Sequence, residues 1–434
     1  MDTARTVPPA PAAARAARAA RGAGRRRAAL PLLVCALYAV LQLVAGPQFT
    51  LFPDSYRYAR ATERYLGAPP AEAHRTALAA YCASRADRTA HDRRLQPTVR
   101  QSEDAIRAAA ERACLDRWAD APDITTGDPR YQAIFAGRPG YPLLAAPFVA
   151  AFGVLRGMQV LGVLTAAAGS LLVFALLRSA GLTRRAALVG QVTFLATPLG
   201  WWSAQALSEG LFTLCTLGTL WGGLLLSRRW SAAGASLTAV SYGVAAVTRY
   251  SSALVLAALL SAVTVGALCL RGRARHRGTA AFAVLSAAAA GGVAVAMRTL
   301  GLPSSQDTLQ DTFTHHFEAP DVPDPWGSLA GLAERFWADW SAQQAALPYF
   351  LLLTALAAWA LARYGDGLGR LALAIGVTGA LQVTAHPLTT EAARLGCLMW
   401  MPVVLGLPLV VDRHWSARPV RQPARGRGDA PDSP

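Results

Sequence analysis

The feature that most constrains this chain is a series of apolar runs, each close to the length that crosses a bilayer. Residues 157–177, 186–204, 252–270 and 279–297 contain no acidic or basic side chain. About 20 such residues, rising 1.5 Å each, traverse a hydrocarbon core roughly 30 Å thick. Inside lipid every backbone N–H and C=O must be satisfied within the segment, so runs of this kind fold as helices. The chain is 53% hydrophobic and 16% charged, against about a quarter charged in an ordinary soluble domain. The predicted fold class is all-α, a polytopic transmembrane helical bundle of about ten spans, with a helical extracytoplasmic insert after the first span.

The spans read from the pattern cover 28–46, 157–177, 186–204, 207–226, 232–247, 252–270, 279–297, 345–361, 371–384 and 395–411. Residues 141–153 are apolar, but the segment is short and holds Pro142 and Pro147, so an interfacial or re-entrant helix is expected there. Residues 28–411 form the membrane domain. It includes an extracytoplasmic insert at 47–155, with juxtamembrane helices near 54–66 and 102–118, and a second outer loop at 298–343. The Ala/Arg-rich segment 1–27 and the segment 412–434 read as disordered cytoplasmic tails.

Arginine sets the orientation. All 42 basic residues are Arg, and Lys and Asn are absent, a bias typical of GC-rich coding and suggestive of an actinobacterial source. In this frame the cytoplasmic segments hold 23 Arg against five acids, while the short outer segments beyond residue 156 hold four Arg against nine acids. Short loops rich in Arg stay in the cytoplasm, so both termini are expected there and the plasma membrane is the expected location. The net charge of +16 is thereby assigned to topology, and no nucleic-acid partner is expected. Cys35, Cys215, Cys269 and Cys397 lie in apolar runs and read as small hydrophobes. Cys82 and Cys114 are the thiols of the outer insert, which faces an oxidising compartment, and are expected to pair.

Candidate chemistry lies among the polar residues at outer span ends. The segment Phe52-Pro53-Asp54-Ser55-Tyr56-Arg57-Tyr58 follows the first span. On a helix starting near Pro53, Asp54 and Tyr58 share one face. From the residues alone Asp54 reads first as a helix cap. Arg249 and Arg394 stand on the side that positive-inside bias avoids; each either contacts phosphate through its guanidinium fork or snorkels to the interface. Glu209 begins a span, where a carboxylate also complements the helix dipole. His315-His316, Glu318, Asp307 and Asp311 sit in the second outer loop and His386 and Glu391 flank the last outer turn. Glu391 is expected to pair with Arg394 at i,i+3. Adjacent histidines are poor joint ligands for one metal, so a divalent cation is a candidate cofactor without an assigned site.

Taken in order, these segments resemble GT-C glycosyltransferases, the class that includes protein O-mannosyltransferases, aminoarabinose transferases and actinobacterial mannosyl- and arabinosyltransferases. The Asp54-to-Tyr58 helix, the segment Arg138-Pro139-Gly140-Tyr141-Pro142, Thr197-Pro198 with Trp201-Trp202 and Ser208-Glu209, and Thr248-Arg249-Tyr250 carry the resemblance, across roughly residues 28–411. It implies a polyprenyl-phosphate sugar donor, an envelope glycan, lipid or protein acceptor, and the bilayer itself as partners. It also implies Asp54 as catalytic base, with Tyr58, Arg138, Glu209, Arg249 and Arg394 binding substrate. Two other readings stay open: a transporter or flippase of a lipid-linked or amphipathic substrate, and a catalytically inactive member of the family. A transporter is expected to place ionisable groups near the bilayer midplane, whereas here they gather at span ends.

The orientation is tested with reporters. One fused after Val411 reads cytoplasmic and one placed within residues 85–100 reads extracytoplasmic; finding both on the same side overturns the frame.

Overall fold

A computed structural model describes residues 29–44, 49–228, 231–270 and 277–416. Among these residues the regular structure is entirely helical. Six helices are long and apolar enough to cross a membrane, or seven if a pair bent by 92° counts as one broken span. The chain is thus a helical membrane protein. Large apolar side chains stand exposed along its flanks, Leu33, Val44, Val240, Val284 and Leu352 among them, the arrangement expected where lipid is the solvent.

The chain enters through α1 (Ala29–Val44). The insert then contributes α2 (Pro53–Tyr65), α3 (Pro70–Arg94), α4 (Glu103–Trp118) and α5 (Pro129–Ala136). The long α3 lies outside the two juxtamembrane stretches predicted for the insert. Its low amphipathic contrast hid it, because its buried face is largely alanine: Ala73, Ala77, Ala86 and Ala90. Cys82 of α3 and Cys114 of α4 form a disulfide with Cα atoms 5.5 Å apart. The short apolar α6 (Gly140–Phe152) contains Pro147 and ends at Gly153, whose φ of 74° turns the chain sharply into α7 (Val154–Ser179).

The run expected at 186–204 is divided at Thr197 into α8 (Arg184–Ala196) and α9 (Pro198–Ser203). Pro198 explains the break, since the residue before proline is driven out of the helical region; Thr197 is extended, at φ −104° and ψ 169°. Next come α10 (Ser208–Arg228), α11 (Ala232–Leu270) and α12 (Arg277–Thr299). The segment between α12 and α15 carries α13 (Ser305–Phe313) and α14 (Pro325–Ala346), and α14 meets α15 (Tyr349–Tyr364) at the 92° bend. The bundle closes with α16 (Asp366–Ala385), α17 (Thr389–Leu395), a 3-10 turn (Gly396–Trp400) and α18 (Met401–Ser416).

The 39 residues of α11 would extend about 58 Å if straight, twice the hydrocarbon core. They do not run straight. Arg249 breaks the helix, with φ −151° and ψ 75°. Near one end Gly234 abuts Gly222 and Leu226 of α10, and Gly278, a few residues beyond the other end, abuts the Leu226 carbonyl. Tyr242 before the break and Ser261 after it both hydrogen-bond to one stretch of α12, at Ser286 and Ala283. The two halves therefore form a hairpin whose apex is Arg249.

Glycine permits the closest approaches in the bundle. A Cβ at position 162 would stand 2.1 Å from the Ala204 carbonyl oxygen, so α7 touches the end of α9 backbone to backbone. At the end of the bundle away from Arg249, Arg228 donates to the Ser179 and Ala180 carbonyls, and Thr183 donates to Asp412. The last bond corrects the C-terminal boundary: α18 continues through Ser416, five residues into the segment read as tail, because Asp412 satisfies the N-cap residue of α8. The remaining tail segments lie outside the described residues.

Opening the Cys82–Cys114 bridge frees a 32-residue separation, which costs about 3–4 kcal/mol in the chain-entropy picture. Cys82→Ser lowers the unfolding midpoint of the insert, and neither cysteine of the unreduced wild-type protein reacts with an alkylating reagent. Equal labelling of both before reduction contradicts the pairing.

Candidate active site

Four segments far apart in sequence bring ionic groups together at the Arg249 end of the bundle. Asp54 lies in the first turn of α2. Its carboxylate accepts from Arg394 Nη1 at 2.6 Å, across 340 residues. Arg394, near the end of α17, also faces Glu209 Oε1 through Nε at 3.5 Å and forms an ion pair with Glu391. Glu209, in the first turn of α10, takes Arg249 Nη1 at 2.7 Å. One guanidinium is thus surrounded by three carboxylates, and one of those carboxylates holds a second guanidinium.

This geometry settles several local alternatives. Asp54 makes no capping bond to α2; the helix start is closed instead by the Ser55 hydroxyl, which accepts the Phe52 N–H at 3.0 Å. Arg249 does not snorkel, since its side chain is 13% exposed and paired with Glu209. Glu209 is more than a dipole complement: its side chain is 5% exposed, and Oε2 has no hydrogen-bond partner among the described residues. The expected Glu391–Arg394 pair is present, as one contact of three.

Burial alone would raise the Asp54 pKa. The charge and hydrogen bond of Arg394, with the charges of Arg57 and Arg138, outweigh it and hold the carboxyl at about 2. Its side chain remains 25% exposed, so the carboxylate is open to a ligand. Tyr58, one turn along α2, donates its hydroxyl to Ser208 Oγ at 3.1 Å, tying α2 to the residue before Glu209. Its ring packs against Tyr141, 5.1 Å between centroids.

Arg138 differs from the other site arginines. No carboxylate lies within 4 Å of it among the described residues, and its Nε is buried without a hydrogen-bond partner. It sits between the rings of Phe135 and Tyr250, at 5.8 and 5.9 Å, and hydrogen-bonds to Tyr250; its charge helps lower the Asp54 pKa and opposes the burial that raises that of Tyr58. Arg249 and Arg394 are the arginines expected to contact phosphate, but both charges are already matched by acids.

Sequence reading assigned no role to Arg57, Arg60, Asp123 or Tyr131. Arg57 Nη2 donates to Asp123 at 3.0 Å and to Thr125 at 2.5 Å, and Nη1 faces Asp54 at 3.8 Å. The Arg57 guanidinium stands over Tyr131 and Phe135, 4.6 and 4.7 Å from their centroids. Arg60 also reaches Asp123, at 3.1 Å. The local clue was the run Asp123-Ile-Thr-Thr-Gly-Asp128-Pro, an Asx-turn sequence in which Asp123 accepts the Thr125 N–H. The partner 66 residues earlier leaves no local trace.

Of the histidines near this end of the bundle, His386 bonds Thr312 Oγ1 through Nδ1 at 2.9 Å. Burial lowers its pKa, with Arg394 adding to the effect and Asp311 and Asp54 opposing it. His316 Nδ1 contacts Asp311 Oδ1 at 2.9 Å. His315, His316 and Phe317 all have left-handed backbone, with φ of 52°, 63° and 65°. Each such non-glycine residue costs about 1–2 kcal/mol. Among the described residues no three His, Cys, Asp or Glu side chains are grouped to hold a metal ion; the carboxylates of the site face guanidinium groups instead.

No protein-family model, curated protein or solved structure matches this chain. Its function is therefore argued from the geometry of Asp54 and its neighbours.

The depressed Asp54 pKa predicts acid sensitivity of defined sign. Its folded-state value of about 2 lies below the ordinary 3.8, so the stabilisation is complete above about pH 4 and lost as pH falls through 2. Thermal midpoints measured between pH 4 and 2 fall more steeply for the wild type than for Asp54→Asn. Parallel curves would show that the ion pair does not form.

Proposed function

We propose that the protein transfers a sugar from a polyprenyl-phosphate donor to a hydroxyl acceptor at the extracytoplasmic face of the plasma membrane, as GT-C glycosyltransferases do. The supporting topology counts the α11 hairpin as two passes and α1, α7, α8 with α9, α10, α12, α15, α16 and α18 as one each. Ten passes return the chain to its starting side, consistent with cytoplasmic termini and an outer position for Asp54.

The observation that carries the reading is the Arg138 guanidinium near Asp54, which is hydrogen-bonded to Tyr250 but paired with no acid among the described residues. A sugar phosphodiester bears one negative charge. When the bond from the anomeric carbon to the phosphate oxygen breaks, the departing polyprenyl phosphate gains a second. A cation already in place and not neutralised by an acid stabilises that added charge in the transition state. The acceptor oxygen attacks from the opposite face, with inversion, and its proton passes to Asp54. A carboxylate at about 2 is a weak base at rest. Phosphate arriving between Arg138 and Arg394 competes for the Arg394 fork and raises the proton affinity of Asp54, and the attacking hydroxyl becomes acidic as its bond forms. Tyr58, through Ser208, keeps Glu209 and its two arginines aligned with α2.

A cavity of about 420 Å³ supports the lipid half of the substrate. Tyr38, Leu195, Pro198, Trp201, Trp202 and Ala393 line it, and Ala393 immediately precedes Arg394. Its walls suit an isoprenoid chain whose phosphate lies at the ionic cluster. The clustering of charge at one end of the bundle also favours interfacial chemistry over transport.

Asp54→Asn abolishes the proton acceptor and lowers transfer by about 10² or more, while the protein inserts normally and retains the carrier lipid. Arg138→Gln lowers the transfer rate and weakens binding of the dianionic polyprenyl phosphate. Full transfer activity in the Asp54→Asn protein rules out the mechanism.

A further inference from the structure

Above Asp54 a column of stacked groups leads from the ionic cluster to the surface. The Arg57 guanidinium, 3.8 Å from Asp54, lies over Tyr131 at 4.6 Å. Tyr131 packs against His316 at 4.7 Å, and His316 is stacked with His315 at 5.5 Å and 30° between planes. The outermost ring is open, with the His315 side chain 81% exposed. Carboxylates stand at the edges of the column: Asp311 on His316 Nδ1 at 2.9 Å, and Glu318 at 3.7 Å from His315 Nε2.

The backbone beneath the two histidines is held against its own preference. His316 N–H donates to the Asp311 carbonyl, Phe317 N–H to Thr314 Oγ1, and Ala319 N–H to the Thr314 carbonyl. Arg130 forks onto Asp321 at 2.9 and 3.1 Å and lies over Phe317 at 4.1 Å. Left-handed residues in series persist only where surrounding contacts enforce them, and they concentrate at ligand sites. The hydrogen bond to Asp311 fixes Nδ1 of His316 and leaves Nε2 for another partner. His386, bonded to Thr312 on the same helix as Asp311, ties this element to the end of α16.

We propose that the His315–His316 stack, with Asp311 and Glu318 at its edges, is a carbohydrate-binding seat at the surface end of the column that begins at Asp54. The open imidazole face receives the C–H face of a pyranose or furanose ring, while Nε2 of His316 and the free carboxylate oxygens take its hydroxyls. The acidic edges disfavour phosphate, so the seat suits an uncharged sugar and stands apart from the Arg138 cation. Its assignment to the acceptor rather than to another sugar rests on the transferase reading above.

The test is saturation-transfer NMR on the full chain in lipid nanodiscs, with methyl glycosides of hexoses and pentoses as probes. Wild-type protein transfers saturation to the protons of one ring face. His315→Ala, at a solvent-facing position that does not threaten folding, weakens the signal at least about threefold, the scale of one aromatic contact. Asp311→Asn weakens it through loss of the hydroxyl acceptor, and Arg138→Gln leaves it unchanged. No transfer from wild type to any glycoside, or transfer from the His315→Ala and Asp311→Asn proteins undiminished from wild type, overturns the proposal. Polyprenyl-phosphate binding is measured separately: if it is untouched by Arg138→Gln while glycosides still require His315, the donor assignment fails and the seat stands.

Discussion

The ion pair between Arg394 and Asp54 is the constraint around which this molecule is arranged. It joins the first helix after α1 to α17, close to the C-terminal end of the bundle, and so closes the bundle on itself at one end. A charge-assisted bond of this kind is strong, but its partners are costly if left alone in a partly buried site. Removing Arg394 would leave Asp54, Glu209 and Glu391 facing one another. Removing Asp54 leaves Arg394 with two other acids. The second loss is the milder one, which makes Asp54 the better position for separating chemistry from folding.

The insert gives that pair its precision. Arg57 is fixed by Asp123 and Thr125 and held over two aromatic rings, so the face of α2 that carries Asp54 cannot rotate freely. The disulfide makes α3 and α4 one unit, and Tyr56 bonds His74 of α3 at 2.7 Å. Below, the hairpin of α11 carries Arg249 at its apex, where an irregular backbone is satisfied because it lines a polar cluster rather than lipid. Rigid elements therefore deliver each charged group, while the turn at His315–Phe317 sits on strained backbone at the surface.

Much of the bundle was legible because lipid imposes a coarse rule: apolar runs of sufficient length, with arginine at their ends. The rule places a break near Arg249 and a short α6 without reference to any contact. It does not register α3, whose alanine-rich buried face gives little contrast, nor the break at Thr197, which depends on Pro198 within an apolar run. The site was legible as a set of positions but not as a set of bonds. Asp54 read first as a cap, since sequence shows its neighbours and not Arg394, 340 residues away. Arg138 drew less weight than Arg249 and Arg394 because whether a guanidinium is already neutralised depends wholly on tertiary pairing.

The central claim is that this ionic cluster receives a lipid phosphate at Arg138 and that its arrival releases Asp54 from Arg394. A structure of the protein in nanodiscs with polyprenyl phosphate tests this most directly. The account predicts phosphate oxygens within hydrogen-bonding distance of the Arg138 guanidinium, the isoprenoid chain in the cavity beside Trp201 and Ala393, and Arg394 turned from Asp54 to the phosphate. Phosphate bound elsewhere, or bound at Arg138 with the Arg394–Asp54 contact still at its 2.6 Å, would contradict it.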